Sequence, residues 1–251
     1  LTSITCDKNC QFREIGSHAF ESLSLTEVLD ISIKRDLCEN NSTAAVFKDN
    51  WCAGTPSLSK ITVSQPNNRF KDDTPFLIDD SLHELLFYDR KAIPKSNRVT
   101  VPSSIETIRE NSFAFCKKVQ TIEFEGESNL KRIEHDAFSF SSLQTLKLPK
   151  SLEKLDDDWC NSTRHLTKID LHSDNPHFSC SEKSLLFSIS LDKIYFASRS
   201  LITITIPNSV TSIASYSFQH CDQLRDVIIN EDSQLREIGK SAFSGCKALE
   251  A

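Results

Sequence analysis

Methionine is absent from this chain of 251 residues, and glycine, with five, is scarce. A chain without methionine lacks the residue of its own start, and its last repeat breaks off at Cys246-Lys-Ala-Leu249, so we expect a fragment of a longer protein. A signal peptide or anchor, if there is one, would lie outside that fragment. No apolar run approaches the roughly 18 residues that a membrane helix needs, which argues against membrane insertion within it. There is no basic stripe either. Twenty-nine Lys and Arg against 35 Asp and Glu give a net charge of -6 spread along the chain, a poor match to a phosphate backbone, so no nucleic acid is expected as partner.

What is present is a phrase written many times. An aliphatic residue, three polar positions, a small residue and Phe recur as Ile15-Gly-Ser-His-Ala19-Phe20, Ile108-Arg-Glu-Asn-Ser112-Phe113, Ile133-Glu-His-Asp-Ala137-Phe138, Ile213-Ala-Ser-Tyr-Ser217-Phe218 and Ile238-Gly-Lys-Ser-Ala242-Phe243, with the variant Leu155-Asp-Asp-Asp-Trp159-Cys160. A period of 22 to 25 residues is that of one leucine-rich coil per unit. Short alternating segments lie between the phrases: Leu58-Ser-Lys-Ile61-Thr-Val63, Val119-Gln-Thr-Ile122-Glu-Phe124, Leu143-Gln-Thr-Leu146-Lys-Leu148, Leu166-Thr-Lys-Ile169-Asp-Leu171 and Leu224-Arg-Asp-Val227-Ile-Ile229. Alternation of period two predicts strands with one face buried, and stacking them in register makes a parallel ladder. Pro102, Pro149 and Pro207 close such strands, as suits a residue with no amide proton to give to a ladder. The fold class expected is a leucine-rich repeat solenoid of short parallel strands and turns, with 3-10 or short helical segments on the returning side and an interior rich in Phe.

A larger repeat lies over the small one. Asp49-Asn-Trp51-Cys52 returns as Asp157-Asp-Trp159-Cys160, and Leu58-Ser-Lys-Ile61 as Leu166-Thr-Lys-Ile169, both displaced by 108. Two long units, Gln65 to Arg98 and Ser173 to Leu201, each carry a pair of apolar runs, Pro75-Phe-Leu-Ile78 with Leu82 to Tyr88 and Leu185-Leu-Phe187 with Leu191 to Phe196. Each pair predicts a β-hairpin projecting from or flanking the coil, although the turns lack the usual Gly.

The units resemble the BspA-like (treponemal-type) leucine-rich repeat family. Ile202-Thr-Ile-Thr-Ile-Pro-Asn-Ser-Val-Thr-Ser-Ile-Ala-Ser-Tyr-Ser-Phe-Gln-His-Cys-Asp-Gln-Leu224 fills nearly every fixed position of its repeat, and Asn175-Pro-His-Phe178 with Leu186-Phe187 and Ile194-Tyr-Phe196 is similar to its longer unit. The resemblance covers essentially the whole chain, so residues 1–251 are expected to form a single domain. It implies a surface or secreted protein of a host-associated bacterium or protozoan parasite, acting in adhesion or aggregation. It carries over no binding residue, because the fixed positions are those of the scaffold.

Local chemistry adds little. Cys116, Cys160, Cys221 and Cys246 follow the motif aromatic and Cys52 matches Cys160, which predicts buried thiols packing as small hydrophobes. Cys6, Cys10, Cys38 and Cys180 fall outside that pattern, and a bridge from Cys10 to Cys6 or Cys38 is an open alternative. The pairs His220-Cys221 and His177-Phe-Ser-Cys180 lack a base in position or a second ligand pair. Asp72-Asp73, Asp79-Asp80 and Asp156-Asp-Asp158 lack calcium-loop spacing. No catalytic residue, metal or cofactor is expected. Asn40, Asn41 and Asn161 head glycosylation sequons if the chain passes through a eukaryotic secretory route.

The expected binding surface is the solvent side of the ladder: Lys60 and Thr62, Thr121 and Glu123, Thr145 and Lys147, Lys168 and Asp170, Thr203 and Thr205, Asp226 and Ile228. Phe87, Tyr88, Tyr195 and Phe196 on the hairpins are the rival surface, with packing over the coil the reading favoured for these aromatics. The functional expectation is a non-enzymatic, extracellular or cell-surface module that binds proteins or glycans of a host, a neighbouring cell or the extracellular matrix. An intracellular scaffold for protein-protein interaction is the alternative.

Overall fold

A computed structural model describes residues 3–5, 14–21, 29–33, 47–63, 70–71, 75–92, 94–182 and 184–249. The chain winds as a solenoid of about seven turns. One side is a front ladder of parallel strands in three stretches. The first holds β1 (Ser3–Thr5), β2 (Leu29–Ile33) and β3 (Leu58–Val63). After β4 (Phe70–Lys71), β5 (Phe76–Asp79) and β6 (Glu84–Tyr88), the second stretch holds β7 (Arg98–Val101), β9 (Thr121–Phe124), β11 (Thr145–Leu148) and β13 (Lys168–Leu171). After β14 (Phe178–Cys180), β15 (Leu185–Ser188) and β16 (Lys193–Ala197), the third holds β17 (Thr203–Thr205) and β19 (Asp226–Ile228). Val99, Val101, Ile122, Leu146, Leu148, Ile169 and Ile204 point inward and are buried, as the period-two alternation predicts.

The aliphatic residue of the repeated phrase forms a second, return ladder. Two-residue strands β8 (Thr107–Ile108), β10 (Arg132–Ile133) and β12 (Lys154–Leu155) pair in parallel, as do β18 (Ser212–Ile213) and β20 (Glu237–Ile238). The third residue after the aliphatic one has positive φ in five phrases, at His18, Asn111, Asp136, Tyr216 and Ser241. A second left-handed residue follows the aromatic, as at Phe115, Phe140, Ser162, His220 and Gly245. Two such residues per turn bend the chain twice within a few positions and exclude a helical repeat. The returning side is therefore strand and turn, where 3-10 or short helical segments were expected. The 3-10 turn found among the described residues, Lys95–Asn97, leads into the front ladder and itself contains left-handed Ser96 and Asn97.

Inside, the aromatics stack from coil to coil: Trp51 on Phe87, Tyr88 on Phe113, then Phe138, Trp159 and Phe196, with centroids 5.2 to 6.1 Å apart. The hairpins β5–β6 and β15–β16 are antiparallel, as expected. Their placement is a correction. They neither project from the coil nor flank it: β6 and β16 pair in parallel with the return strands β8 and β18. Phe87, Tyr88 and Phe196 are buried and Tyr195 is half-buried. The second hairpin is a partition between two cores. Leu186 and Phe196 pack with the preceding coils, while Leu185, Phe187, Ile194 and Ala197 pack with the following ones. A sheet covered on both faces reads as a continuous apolar run, and that is why these segments do not alternate.

Each partition is closed by an arginine three residues after its last strand phenylalanine. Arg90 lies over the Phe87 ring at 4.9 Å and donates to the Thr55 and Leu58 carbonyls. Arg199 lies over Phe196 at 4.8 Å and donates to the Ser217 and Tyr216 carbonyls at 2.7 and 3.3 Å, and to that of Thr163 at 3.4 Å. In an ordinary pair of coils the turn amides serve this purpose, as where Phe113 N donates to Ala137 O and Phe115 N to Ser139 O. The inserted hairpins continue that series toward the following coil, where Tyr88 N donates to Ser112 O and Ala197 N to Ser217 O, and the guanidinium adds a further donor to turn carbonyls that already accept a backbone amide, such as those of Thr55, Thr163 and Ser217.

Candidate functional site

Side chains on the solvent side of the second and third stretches of the front ladder stand in rows because those strands pair without slippage, whereas β2 and β3 shift register between Leu29 and Asp30. Thr145 is opposite Thr121 on one side and Lys168 on the other, Lys147 is opposite Asp170, and Thr203 and Thr205 are opposite Asp226 and Ile228. Glu123 organises the centre. Its Oε2 accepts from Arg98 Nη1 at 2.7 Å and lies 2.8 Å from Lys147 Nζ, and its Oε1 accepts from Thr100 Oγ1 at 3.5 Å. The Lys147 hydrogen bond, helped by that of Arg98, holds the Glu123 carboxyl below the usual range. Lys168, Asp170, Thr203, Thr205, Asp226 and Ile228 are exposed, while Thr121, Thr145 and Lys147 are half-buried. Lys60 and Thr62 pair through their backbones with Asp30 and Ser32; their side chains lie outside the described residues, as do Asn40 and Asn41.

Two members of the rows were missed in the sequence, Arg98 and Thr100. The sign was available, since Val99-Thr-Val101-Pro102 has the form of Leu146-Lys-Leu148-Pro149. Also missed was a cleft of about 680 Å³ at the carboxyl ends of β9, β11 and β13, lined by Glu123, Lys147, Asp170, His172, Asp174 and His177 among others. Asn175 fixes its wall. Its amide nitrogen donates to the carbonyls of Pro149, Lys150 and Leu152, and its Oδ1 accepts from the backbone of His177 and Phe178. This cross-coil clamp gives the Asn of Asn175-Pro-His-Phe178 its purpose, and it turns the chain out of the ladder where the cleft forms.

The other sequence candidates fall elsewhere. The Cys221 thiol donates to Ser198 O at 3.5 Å, and among the described residues no three His, Cys, Asp or Glu side chains converge as a metal would require. Cys52, Cys116, Cys160 and Cys221 are buried free thiols, and Cys180 and Cys246 are half-buried ones. Burial pushes Cys52 and Cys116 up to about 12 and Cys160 to about 11. Cys6, Cys10, Cys38 and the pair Asp72-Asp73 lie outside the described residues. Asn161 is half-buried, its amide donates to Asp136 Oδ1 at 2.9 Å, and Thr163 of the same sequon is fully buried. Among the described residues no helix is long and apolar enough to cross a membrane.

A stacked-coil solenoid with a parallel front ladder and an outward row of polar side chains is the leucine-rich repeat class of architecture. The family model for the BspA type leucine rich repeat region matches residues 80–182 and 189–251 in six copies, and the chain belongs to that family. Among solved structures it is similar to the pneumococcal vaccine antigen PcpA, at 22% identity and a TM-score of 0.62, over 95% of this chain and 55% of that one. It is also similar to a leucine rich cell surface protein from Faecalibacterium prausnitzii, at 15% identity and a TM-score of 0.56, over 100% of this chain and 74% of that one. The chain thus spans little more than half the length of the pneumococcal structure. No curated protein matches it in sequence.

Proposed function

We propose that the chain is a non-enzymatic surface or secreted module that binds proteins or glycans of a host, a neighbouring cell or the extracellular matrix through the front ladder. The observation that carries this is the in-register row from Arg98 to Asp170, which presents both charge signs in fixed order and opens at its carboxyl end into the cleft. A backbone ladder holds these groups rigidly, so little side-chain order has to be created on binding. Repetition along the solenoid then adds weak contacts together. Membership of the BspA-type family and likeness to a protein described as a cell surface protein support the location.

The test is binding of the chain to a panel of extracellular-matrix proteins and whole cells, beside the variant Lys147→Glu/Lys168→Glu. Loss of binding by about tenfold or more, with an unchanged melting temperature, is expected if charged contacts on the ladder are used. Binding that ignores both changes would place the contact elsewhere. The second reading, an intracellular scaffold, draws on the six free thiols among the described residues, which suit a reducing compartment as well. Titration of all nine cysteines in denaturant and a glycan assay on native material distinguish the two: full reduction with no glycan favours the scaffold.

A further inference from the structure

The turn after the motif aromatic forms another side of the solenoid, and on three consecutive coils it offers cations without acids. Residues 113–119, 138–144 and 159–166 contain no carboxylate, in a chain whose net charge is -6. They present Lys117, Lys118 and Arg164, all exposed. The acids that flank them are engaged: Asp89 Oδ1 accepts from the Lys91 N–H at 2.8 Å, and Asp222 is paired with Lys247 at 3.0 Å.

In the middle of this side the rings of Phe115 and Phe140 lie parallel, with 5.1 Å between centroids and 4° between planes. The Arg90 guanidinium covers the Phe115 ring at 5.3 Å, whereas Phe140 is 46% exposed. Both phenylalanines are in the left-handed region, at φ 62 and 58. That conformation costs an L-residue with a bulky side chain about 1 kcal/mol or more. The fold does not demand an aromatic there, since Ser162 and Gly245 make the corresponding turn. Ser162, on the next coil, is too small to cover Phe140. The stack therefore ends on an open ring face, with the Lys117 ammonium held at the Phe140 carbonyl and Arg164 on the coil beyond.

We propose that Phe140, Lys117, Lys118 and Arg164 form a site for an acidic polysaccharide, a sugar chain bearing sulfate or carboxylate groups. A pyranose ring presents a flat face of weakly positive C–H bonds, which packs on the negative face of an aromatic ring. Its anionic substituents then meet Arg and Lys as charge-assisted hydrogen-bond acceptors. Three coils at the ~4.8 Å spacing of paired strands span about 10 Å, so that successive sugars meet successive coils. The site stands apart from the front ladder and does not depend on it.

Binding of the full chain to immobilised heparin, with neutral dextran, a single-stranded oligonucleotide and anionic phospholipid vesicles as comparisons, tests the proposal. Heparin should bind, dextran should not, and the affinity should fall as salt screens the contact. Lys118→Glu/Arg164→Glu should weaken heparin binding by about tenfold or more at an unchanged melting temperature. Phe140→Gly should also weaken it while keeping or raising the melting temperature, because glycine accepts φ 58. A merely structural phenylalanine would instead lower the melting temperature and leave heparin binding alone. The Lys147→Glu/Lys168→Glu variant should bind heparin as the parent does. The proposal is overturned by absent heparin binding, by a Phe140→Gly variant that binds as well as the parent, by heparin binding lost with the ladder variant, or by tighter binding to the oligonucleotide or vesicles.

Discussion

Single side chains on the return ladder carry chemistry that the repeated phrase treats as filler. Arg109 is surrounded by four carboxylates: its Nε is 2.9 Å from both Glu110 and Glu134, its Nη1 2.9 Å from Glu84 and its Nη2 2.7 Å from Asp49. One guanidinium cannot neutralise four carboxylates, and Arg132, on the far side of Glu134 at 3.5 Å, is drawn to Asp156 at 2.8 Å. This crowding favours a proton on one of the two inner carboxyls, Glu110 and Glu134. Burial, then the hydrogen bond to Glu110, raises Glu134 to about 7. Burial opposes the charge on Glu110 as well, but hydrogen bonds from Glu134 and Arg109 hold its carboxyl down. A carboxyl that titrates higher in the fold than its ordinary value of 4.5 keeps its proton there while the unfolded chain loses it. Its stabilisation is complete below about 4.5 and is lost as pH rises through about 7. Glu134→Gln, which imitates the protonated form, should raise the melting temperature at pH 8, leave it nearly unchanged at pH 4, and flatten the slope between. An unaltered slope in differential scanning fluorimetry would remove Glu134 from the account.

At the scale of elements, the hairpins show how far a pattern can be read. The apolar runs at 75–78, 82–88, 185–187 and 191–196 announced strands, and strands are there, at β5, β6, β15 and β16. That they form interior partitions was not legible, since stretches such as Leu85 to Tyr88 and Leu185 to Phe187, apolar at every position, give no outward face. The missing turn glycines also find an explanation. Asp79 Oδ1 accepts from Ser81 N, Ser81 Oγ and Leu82 N, and Asp192 Oδ1 accepts from Ser188 and Ser190 hydroxyls at 2.6 and 2.7 Å, so side chains hold turns whose left-handed residues are His83 and Leu191. Partition and projection differ in energy. Phe196→Ala should cost about 3–5 kcal/mol in urea unfolding, whereas Ile189→Ser at the exposed turn should stay within about 0.5 kcal/mol. Equal small losses would mean a hairpin that merely flanks the coil.

For the whole molecule, the second partition has a thermodynamic consequence. Coils touch only their neighbours, so cooperativity passes from one to the next and is weakest where the core changes hands. The cores on either side of β15–β16 are separate clusters. Hydrogen exchange should therefore resolve two units, and Ile204→Ala should speed exchange of amides in β17 to β20 while β9 and β11 keep most of their protection. Uniform acceleration along the chain would show a single cooperative unit. By itself the sequence determined the solenoid, its strand segments, its buried aromatics and most of its outward row, because a repeated pattern states local burial many times and each statement is checked by the next. Only the tertiary structure decided where the hairpins lie, which carbonyls Arg90 and Arg199 reach, how Asn175 shapes the cleft and that Phe140 ends an open stack. Those depend on contacts between residues 17 to 36 positions apart, and the register of one coil on another sets them, a quantity no single repeat contains.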